Sequence, residues 1–318
     1  MTAALATPMD LRTKRPQWAS MFFTGLTGLA AALILAILAL ILGNAAYHGW
    51  SHFSLAFLTG SGGDIFDVNH AGIEPMILGT TERVFLMTIF VMPVGVITAI
   101  YLTEYAPSRA LVTRFIRGAV NNLAGVPSIV FGLFGLGFFI GFVGHNMDAA
   151  LRPSSGAPVW GKPALIWASL TLAVMTLPVV IVATEESLRA IPPGLREASL
   201  ALGATKLETI IKIVLPQALP GIMTGAILAI GRAAGEVAPI LFTGAAYYMA
   251  TPPHALTDQF MDLGYHIFVL STQSPNIDQT RPIAYATVLA LLLLTFSLNL
   301  VAIVIRARMR ARLRALHG

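Results

Sequence analysis

The sequence predicts an all-α integral membrane protein, a bundle of six transmembrane helices. Three observations predict it: an apolar composition, six apolar runs long enough to cross a bilayer, and Lys and Arg residues concentrated in alternate connecting segments. Of 318 residues, 56% are hydrophobic and 11% charged, against roughly 25% charged in soluble domains. So little polar surface cannot cover the chain, and part of its solvent must be lipid. Cysteine is absent, which excludes disulfide frameworks, thiolate metal sites and a Cys nucleophile.

Crossing the hydrocarbon takes about 20 apolar residues at about 1.5 Å rise each. Six runs qualify: Ala19–Leu42, Arg83–Leu102, Val126–Val143, Ala164–Thr184, Ala218–Ala245 and Ile283–Ile305. Arg12, Lys14 and Arg15 precede the first, as in a signal peptide. Its apolar stretch exceeds the roughly 7–15 residues of a cleaved segment, so it is expected to be a retained span. Residues 1–18 then form an N-terminal segment, 19–70 the first span with its outer loop, and 306–318 a basic tail.

Orientation follows from the positive-inside rule. One side collects Arg12, Lys14, Arg15, Arg109, Arg114, Arg117, Arg189, Arg196, Lys206, Lys212, Arg306, Arg308, Arg310, Arg312 and Arg314. The other holds Arg83, Arg152, Lys162 and Arg281. Both termini are expected in the cytoplasm, and the tail reads as a topology anchor beside anionic lipid rather than a nucleic-acid arm. The long segments Gly43–Glu82 and Tyr247–Pro282 fall outside, with Asp64, Asp67, Glu74, Asp258, Asp262 and Asp278. They are open between a docking surface for an external partner and solvated caps.

One cytoplasmic loop, Glu185–Gln217, has helical rather than linker character. Leu195, Ala198, Leu202 and Leu207 recur at helix-like spacing, with Arg196, Glu197, Lys206 and Glu208 on polar faces. Pro192 and Pro193 sit where a helix would begin, and Gly203 permits a sharp turn between two short helices. A rigid projection of this kind suits insertion into a groove on a partner.

Glu197-Ala198-Ser199, Gly203 four residues on, then Ile213, Leu215 and Pro216 resemble the EAA loop of ABC-importer permeases. Ser199 stands where that pattern has Ala. Asn121-Asn122-Leu123-Ala124-Gly125-Val126-Pro127-Ser128-Ile129-Val130-Phe131-Gly132 and Gly231-Arg232-Ala233-Ala234-Gly235-Glu236-Val237-Ala238-Pro239 resemble segments of phosphate-importer permeases, where Thr is commoner than Val237. Tyr101-Leu102-Thr103-Glu104-Tyr105-Ala106 and Tyr265-His266-Ile267-Phe268-Val269-Leu270 are similar to the A-type (PstA-like) group. The resemblance covers about residues 72–305.

The resemblance implies a five-helix permease core, residues 71–305, with the first helix peripheral, in a bacterial inner membrane. It implies that Glu197–Gly203 dock into a separate ATPase dimer, which uses ATP and magnesium while this chain binds no cofactor. It also implies a C-type permease sibling, an extracytoplasmic phosphate-binding protein, and inorganic phosphate as cargo. A permease for phosphonate, sulfate or molybdate is the nearer alternative; a channel or an intramembrane enzyme would leave the docking loop without purpose.

Independently of any family, Arg232 and Glu236 sit in an apolar run, four residues apart and so on one helical face. A charge at mid-membrane costs about 2.5–3.5 kcal/mol on insertion scales, so both are expected to face the protein interior. Arg232 would attract the anion through paired N–H donors, and Glu236 would offset that charge so that the anion is released. A buried ion pair fixing helix packing is the alternative. The pairs Gly221/Gly225, Gly231/Gly235 and Gly137/Gly141 favour close packing in the bundle or at a subunit interface. Pro93, Pro178 and Pro239 are open between kinks and ordinary packing.

Three signals are set aside. Gly156-Ala157-Pro158-Val159-Trp160-Gly161-Lys162-Pro163 imitates a phosphate-binding loop but fails at Pro163, where Ser or Thr must ligate magnesium. His48 and His52 lack a third metal ligand. Glu185-Glu186 is expected to be a solvated or subunit-facing pair.

Overall fold

A computed structural model describes residues 18–61, 71–107, 109–151, 156–249 and 251–317. Arg12, Lys14, Arg15, Asp64, Asp67 and Arg152, and the side chains of Arg312 and Arg314, lie outside the described residues. Two compact units result, residues 1–47 and 48–318. The first holds most of helix α1, Trp18–Gly49, which is dominated by Ala, Leu, Ile and Gly and carries no Asp, Glu, Lys or Arg. Its large side chains are exposed around the whole circumference, including Phe22, Leu29, Leu33, Ile37 and Leu40. A helix apolar on every face is stable in lipid rather than in water.

The second unit begins with α2, Leu55–Thr59, capped where the Phe57 N–H donates to Ser54 Oγ at 3.2 Å. Helix α3, Glu74–Ile100, starts on Pro75 and widens into a π-helix over Tyr101–Tyr105. After α4, Leu111–Ala124, the third span combines α5, Ser128–Phe134, a π-helix over Gly135–Gly144, and α6, His145–Leu151. Helix α7 is Leu165–Arg189, and α8, Pro193–Ala201, and α9, Lys206–Thr209, follow. A π-turn over Ile210–Val214 leads into α10, Leu215–Ala234. Helices α11, Ile240–Thr243, α12, Leu263–Thr272, and α13, Ile277–His317, complete the chain.

Among the described residues, six helical segments are long and apolar enough to cross a membrane: Ser20–Gly49, Glu74–Tyr105, Ser128–Leu151, Leu165–Arg189, Lys206–Ala234 and Ile277–Ala311. Helix α7 is central, packing against α3 and α10, while α10 and α12 pack against α13. Val84, Met87 and Val91 meet Leu172, Met175, Val180, Ala229 and Ala233 in the core. A Cβ added at Gly95 would lie 2.6 Å from Val180 Cγ1, and one at Gly225 2.8 Å from Ala183 Cβ. One at Gly221 would run into the Ser187 hydroxyl. These glycines let α3 and α10 approach α7 more closely than any side chain permits. The buried hydroxyls of Ser169, Thr171 and Thr176 donate to carbonyls one turn back on α7, so none is left bare at membrane depth.

Three expectations need correction. The fifth span ends at Ala234, not Ala245, because Gly235 breaks the helix and Pro239 caps the separate α11. Pro239 therefore kinks no span, whereas Pro93 and Pro178 lie inside α3 and α7. The segments expected to be long loops carry α2, the first turns of α3, α12 and the start of α13. The glycine pairs, left open between bundle and subunit interface, divide among the described residues: Gly221/Gly225 packs within the chain, Gly231 faces Asn299, and Gly137 has nothing within 4 Å of its missing side chain.

Candidate functional site

The break after Ala234 places the two charges singled out in span five. Arg232 lies in the last turn of α10 and Glu236 just beyond its end. Helical spacing persists far enough for Arg232 Nε to reach Glu236 Oε1 at 3.6 Å, with side chains 41% and 23% exposed. The pair is thus partly open on the surface of this chain instead of sealed in its interior. A guanidinium held this loosely leaves part of its N–H fork uncommitted to the carboxylate.

The sealed ion pair is another one, which sequence reasoning missed. Arg83 and Asp262 are both fully buried, with Arg83 Nη2 donating to Asp262 Oδ2 at 2.8 Å. Arg83, placed on the outer side by charge counting, and Asp262, placed in an outer segment, are both buried within the protein. Arg83 Nη1 also donates to the Ala233 carbonyl at 2.9 Å and Nη2 to that of Ala234 at 3.3 Å. These are last-turn carbonyls of α10, at the negative end of its dipole, where regular i→i−4 bonding stops. Asp262 caps α12 by accepting the Tyr265 N–H at 3.1 Å, and Thr80 Oγ1 donates to it at 2.9 Å. An arginine at the opening of an apolar run, matched by an aspartate ahead of another, was the available signal.

The loop expected to dock an ATPase is two short helices around one turn. Pro192 and Pro193 begin α8, and Gly203 adopts φ +87°, the one left-handed φ among the described residues. Thr205 and Glu208 form a reciprocal cap on α9. Glu197, Ala198 and Leu202 are exposed, Leu202 to 90%. Ser199 Oγ lies 2.9 Å from Thr209 Oγ1, so the residue that departs from Ala bolts α8 to the end of α9. Ile213 lies in the π-turn, and Leu215 and Pro216 open α10.

Both arms of this loop are fixed to the end of α3. Arg196 donates to Glu104 Oε1 at 2.8 Å from Nη2, and to the Leu188 and Ile191 carbonyls at 2.7 and 2.9 Å. Lys206 Nζ lies 4.9 Å above the Tyr105 ring. The Tyr101–Tyr105 π-helix thus supplies the anchors for α8 and α9. Glu185 was expected to be solvated or subunit-facing; it is buried and accepts from Arg117 at 2.6 Å and Arg189 at 2.8 Å. Glu186 is exposed.

The phosphate-loop imitation has its own anion. The N–H groups of Val159, Trp160 and Gly161 all donate to the Asp148 carboxylate, Gly161 at 2.7 Å. Consecutive amides converging on an anion form a nest, here filled by a side chain of the same protein. His48 stacks on Tyr285 with ring centroids 5.2 Å apart, and His52 Nδ1 lies 3.0 Å from Ser51 Oγ.

Relatives agree with this architecture. A sequence profile described as binding-protein-dependent transport system inner membrane component matches residues 91–314. The probable ABC transporter permease protein YqgI of Bacillus subtilis is 37% identical over 220 residues, 69% of this chain and 68% of that protein. The phosphate transport system permease protein PstA of Yersinia pestis is 35% identical over 240 residues, 74% of this chain and 73% of its own. PstA 1 of Mycobacterium tuberculosis is 40% identical over 171 residues, 54% of this chain and 50% of that relative, so the match spans half its length. A bacterial ABC transporter involved in alginate import shares the fold at TM-score 0.61 and 15% identity, covering 92% of this chain and 99% of that one. The MetNI methionine ABC transporter does so at TM-score 0.52 and 20% identity, covering 75% and 94%. With six described segments long and apolar enough to cross a membrane, the chain belongs to the binding-protein-dependent transport system inner membrane component family, the multi-pass permease subunits of ABC importers.

Proposed function

We propose that this chain is a phosphate-translocating permease subunit whose anion path includes Arg232 and Glu236. The observation that carries the proposal is the partly open Arg232–Glu236 pair at the broken end of α10. Phosphate transport permeases among its relatives support the choice of anion. Arg232 presents a permanent, planar charge to phosphate oxygens. Glu236, 3.6 Å away, weakens the attraction enough for the anion to leave.

The driving energy comes from elsewhere. In this proposal a separate ATPase dimer consumes ATP with magnesium and presses on the α8–α9 loop through Glu197, Ala198, Ser199 and Gly203. Ile213, Leu215 and Pro216 carry that movement into α10. A C-type permease sibling completes the path, an extracytoplasmic binding protein delivers phosphate, and both termini face the cytoplasm. This chain hydrolyses nothing itself.

The test is uptake of labelled phosphate at micromolar concentration in cells with this chain, without it, and with Arg232→Gln. Uptake should require the chain, fall on ATP depletion and vanish in an Arg232→Gln complex that still assembles. Uptake unaffected by deletion, with no second importer present, would refute phosphate as the cargo; competition by sulfate, molybdate or phosphonate would then identify the anion.

A further inference from the structure

We propose that Arg83, held by Asp262, which Thr80 supports in turn, is the positioning residue for the Arg232–Glu236 pair. This rests on the proposed role of that pair, but the geometry behind it does not. The Ala233 carbonyl accepts both Arg83 Nη1, at 2.9 Å, and the Glu236 backbone N–H, at 3.2 Å. One oxygen therefore joins the buried guanidinium directly to the residue that follows the helix break. Arg232 is the residue immediately before that oxygen's own residue, and Ala234 is held by the same guanidinium. The brace grips the chain between the two charges.

The other side of the brace is equally fixed. Asp262 Oδ2 takes Arg83 and Thr80, its Oδ1 takes the Tyr265 N–H, and Thr80 Oγ1 accepts the Leu263 N–H at 3.0 Å. Gly79 has no room for a Cβ beside the Met261 carbonyl, and one at Gly264 would lie 2.9 Å from Val237 Cγ2. Helices α3 and α12 thus close on the break from two directions. Helix C-termini ordinarily fray or turn on a left-handed glycine. Gly235 is right-handed, at φ −93°, and the carbonyls are held by a cation instead. Such a fixed end sets the backbone positions from which Arg232 and Glu236 project, and so the distance their side chains must span.

The chemistry also separates positioning from mere stapling. A staple holds the bundle together, and its loss loosens everything packed on it. A positioning brace acts on residues 233–241, where α10 ends and α11 begins, and leaves the α7 core intact. The whole transporter, with its ATPase and permease partners, is purified with Arg83→Gln, Arg83→Lys or Asp262→Asn in this chain. Two quantities are read: amide hydrogen exchange by peptide, and the phosphate concentration giving half-maximal transport in vesicles.

For Arg83→Gln, exchange over 235–241 should accelerate about tenfold while that of Leu172–Val180 stays unchanged. The half-saturating phosphate concentration should rise about tenfold, by more than the maximal rate falls. Arg83→Lys, which keeps the charge and one carbonyl bond, should recover most of both. Unchanged exchange at 235–241 in an assembled Arg83→Gln complex would overturn the proposal. Acceleration spread evenly over α7 and α10, or failure of all three variants to assemble, would overturn it in favour of a staple. Local acceleration with no phosphate transport in any form, wild type included, would leave the brace in place and refute phosphate as the cargo.

Discussion

Gly203 is the position where backbone geometry makes the sharpest demand, and Gly203→Ala tests it. Its φ of +87° belongs to the left-handed region, where a Cβ costs roughly 1–2 kcal/mol. A Cβ there would meet nothing within 4 Å, so the whole cost is conformational. If the loop docks an ATPase with this turn closed, affinity should fall roughly 5–30-fold, the equivalent of 1–2 kcal/mol. The assay is titration of the purified ATPase subunit against the permease pair in detergent or nanodiscs. Gly203→Asn should recover most of the loss, because Asn tolerates the left-handed region. Gly194→Ala is the matched control: it is exposed, lies within α8, has no positive φ and nothing within 4 Å. Equal affinities for Gly203→Ala, Gly203→Asn and wild type would refute the reasoning.

Gly221→Ala should lower the thermal midpoint, at a cost of roughly 1–3 kcal/mol for overpacking against Ser187. Gly137→Ala, with open space around it, should be neutral; a differential scanning measurement on the purified complex compares them. Burial pushes the His266 imidazole down to about 4, and its Nε2 has no hydrogen-bond partner among the described residues. Between about pH 6.5 and 4 the unfolded chain takes up a proton there that the folded chain does not. Stability should therefore fall as pH drops through that window, by about 3 kcal/mol in all. His266→Leu should flatten the dependence in a pH series of thermal melts; an unchanged slope would show that another group sets it.

What was legible in the sequence follows the range of the interactions involved. Span positions depend on runs of adjacent residues, and the turn at Gly203 on a few neighbours, so both could be read. The end of the fifth span could not, because Val237, Ala238, Ile240, Leu241 and Phe242 continue the apolar run past the break. Gly235 followed by Pro239 was the local stop signal, outweighed by hydropathy. Arg83 and Asp262 meet only because α3 and α12 pack across the end of α10. No periodicity along the chain encodes that meeting. The likeness at Ser199 was legible, but its bond to Thr209 required the folded angle between α8 and α9.

The anchoring of the α8–α9 loop has a mechanical consequence. A linkage transmits displacement only as far as its most compliant joint. Here the Ser199–Thr209 bond closes the angle behind the tip, and Arg196 and Lys206 clamp the two arms to adjacent residues, Glu104 and Tyr105. Arg196 grips the Leu188 and Ile191 carbonyls as well. A load applied at Leu202 is therefore shared at once by the end of α3 and the end of α7, while α10 receives it through the Ile210–Val214 turn. Weakening the Glu104 clamp would add slack on the α3 side alone, so the same stroke at the tip would arrive at the bundle unevenly and spent.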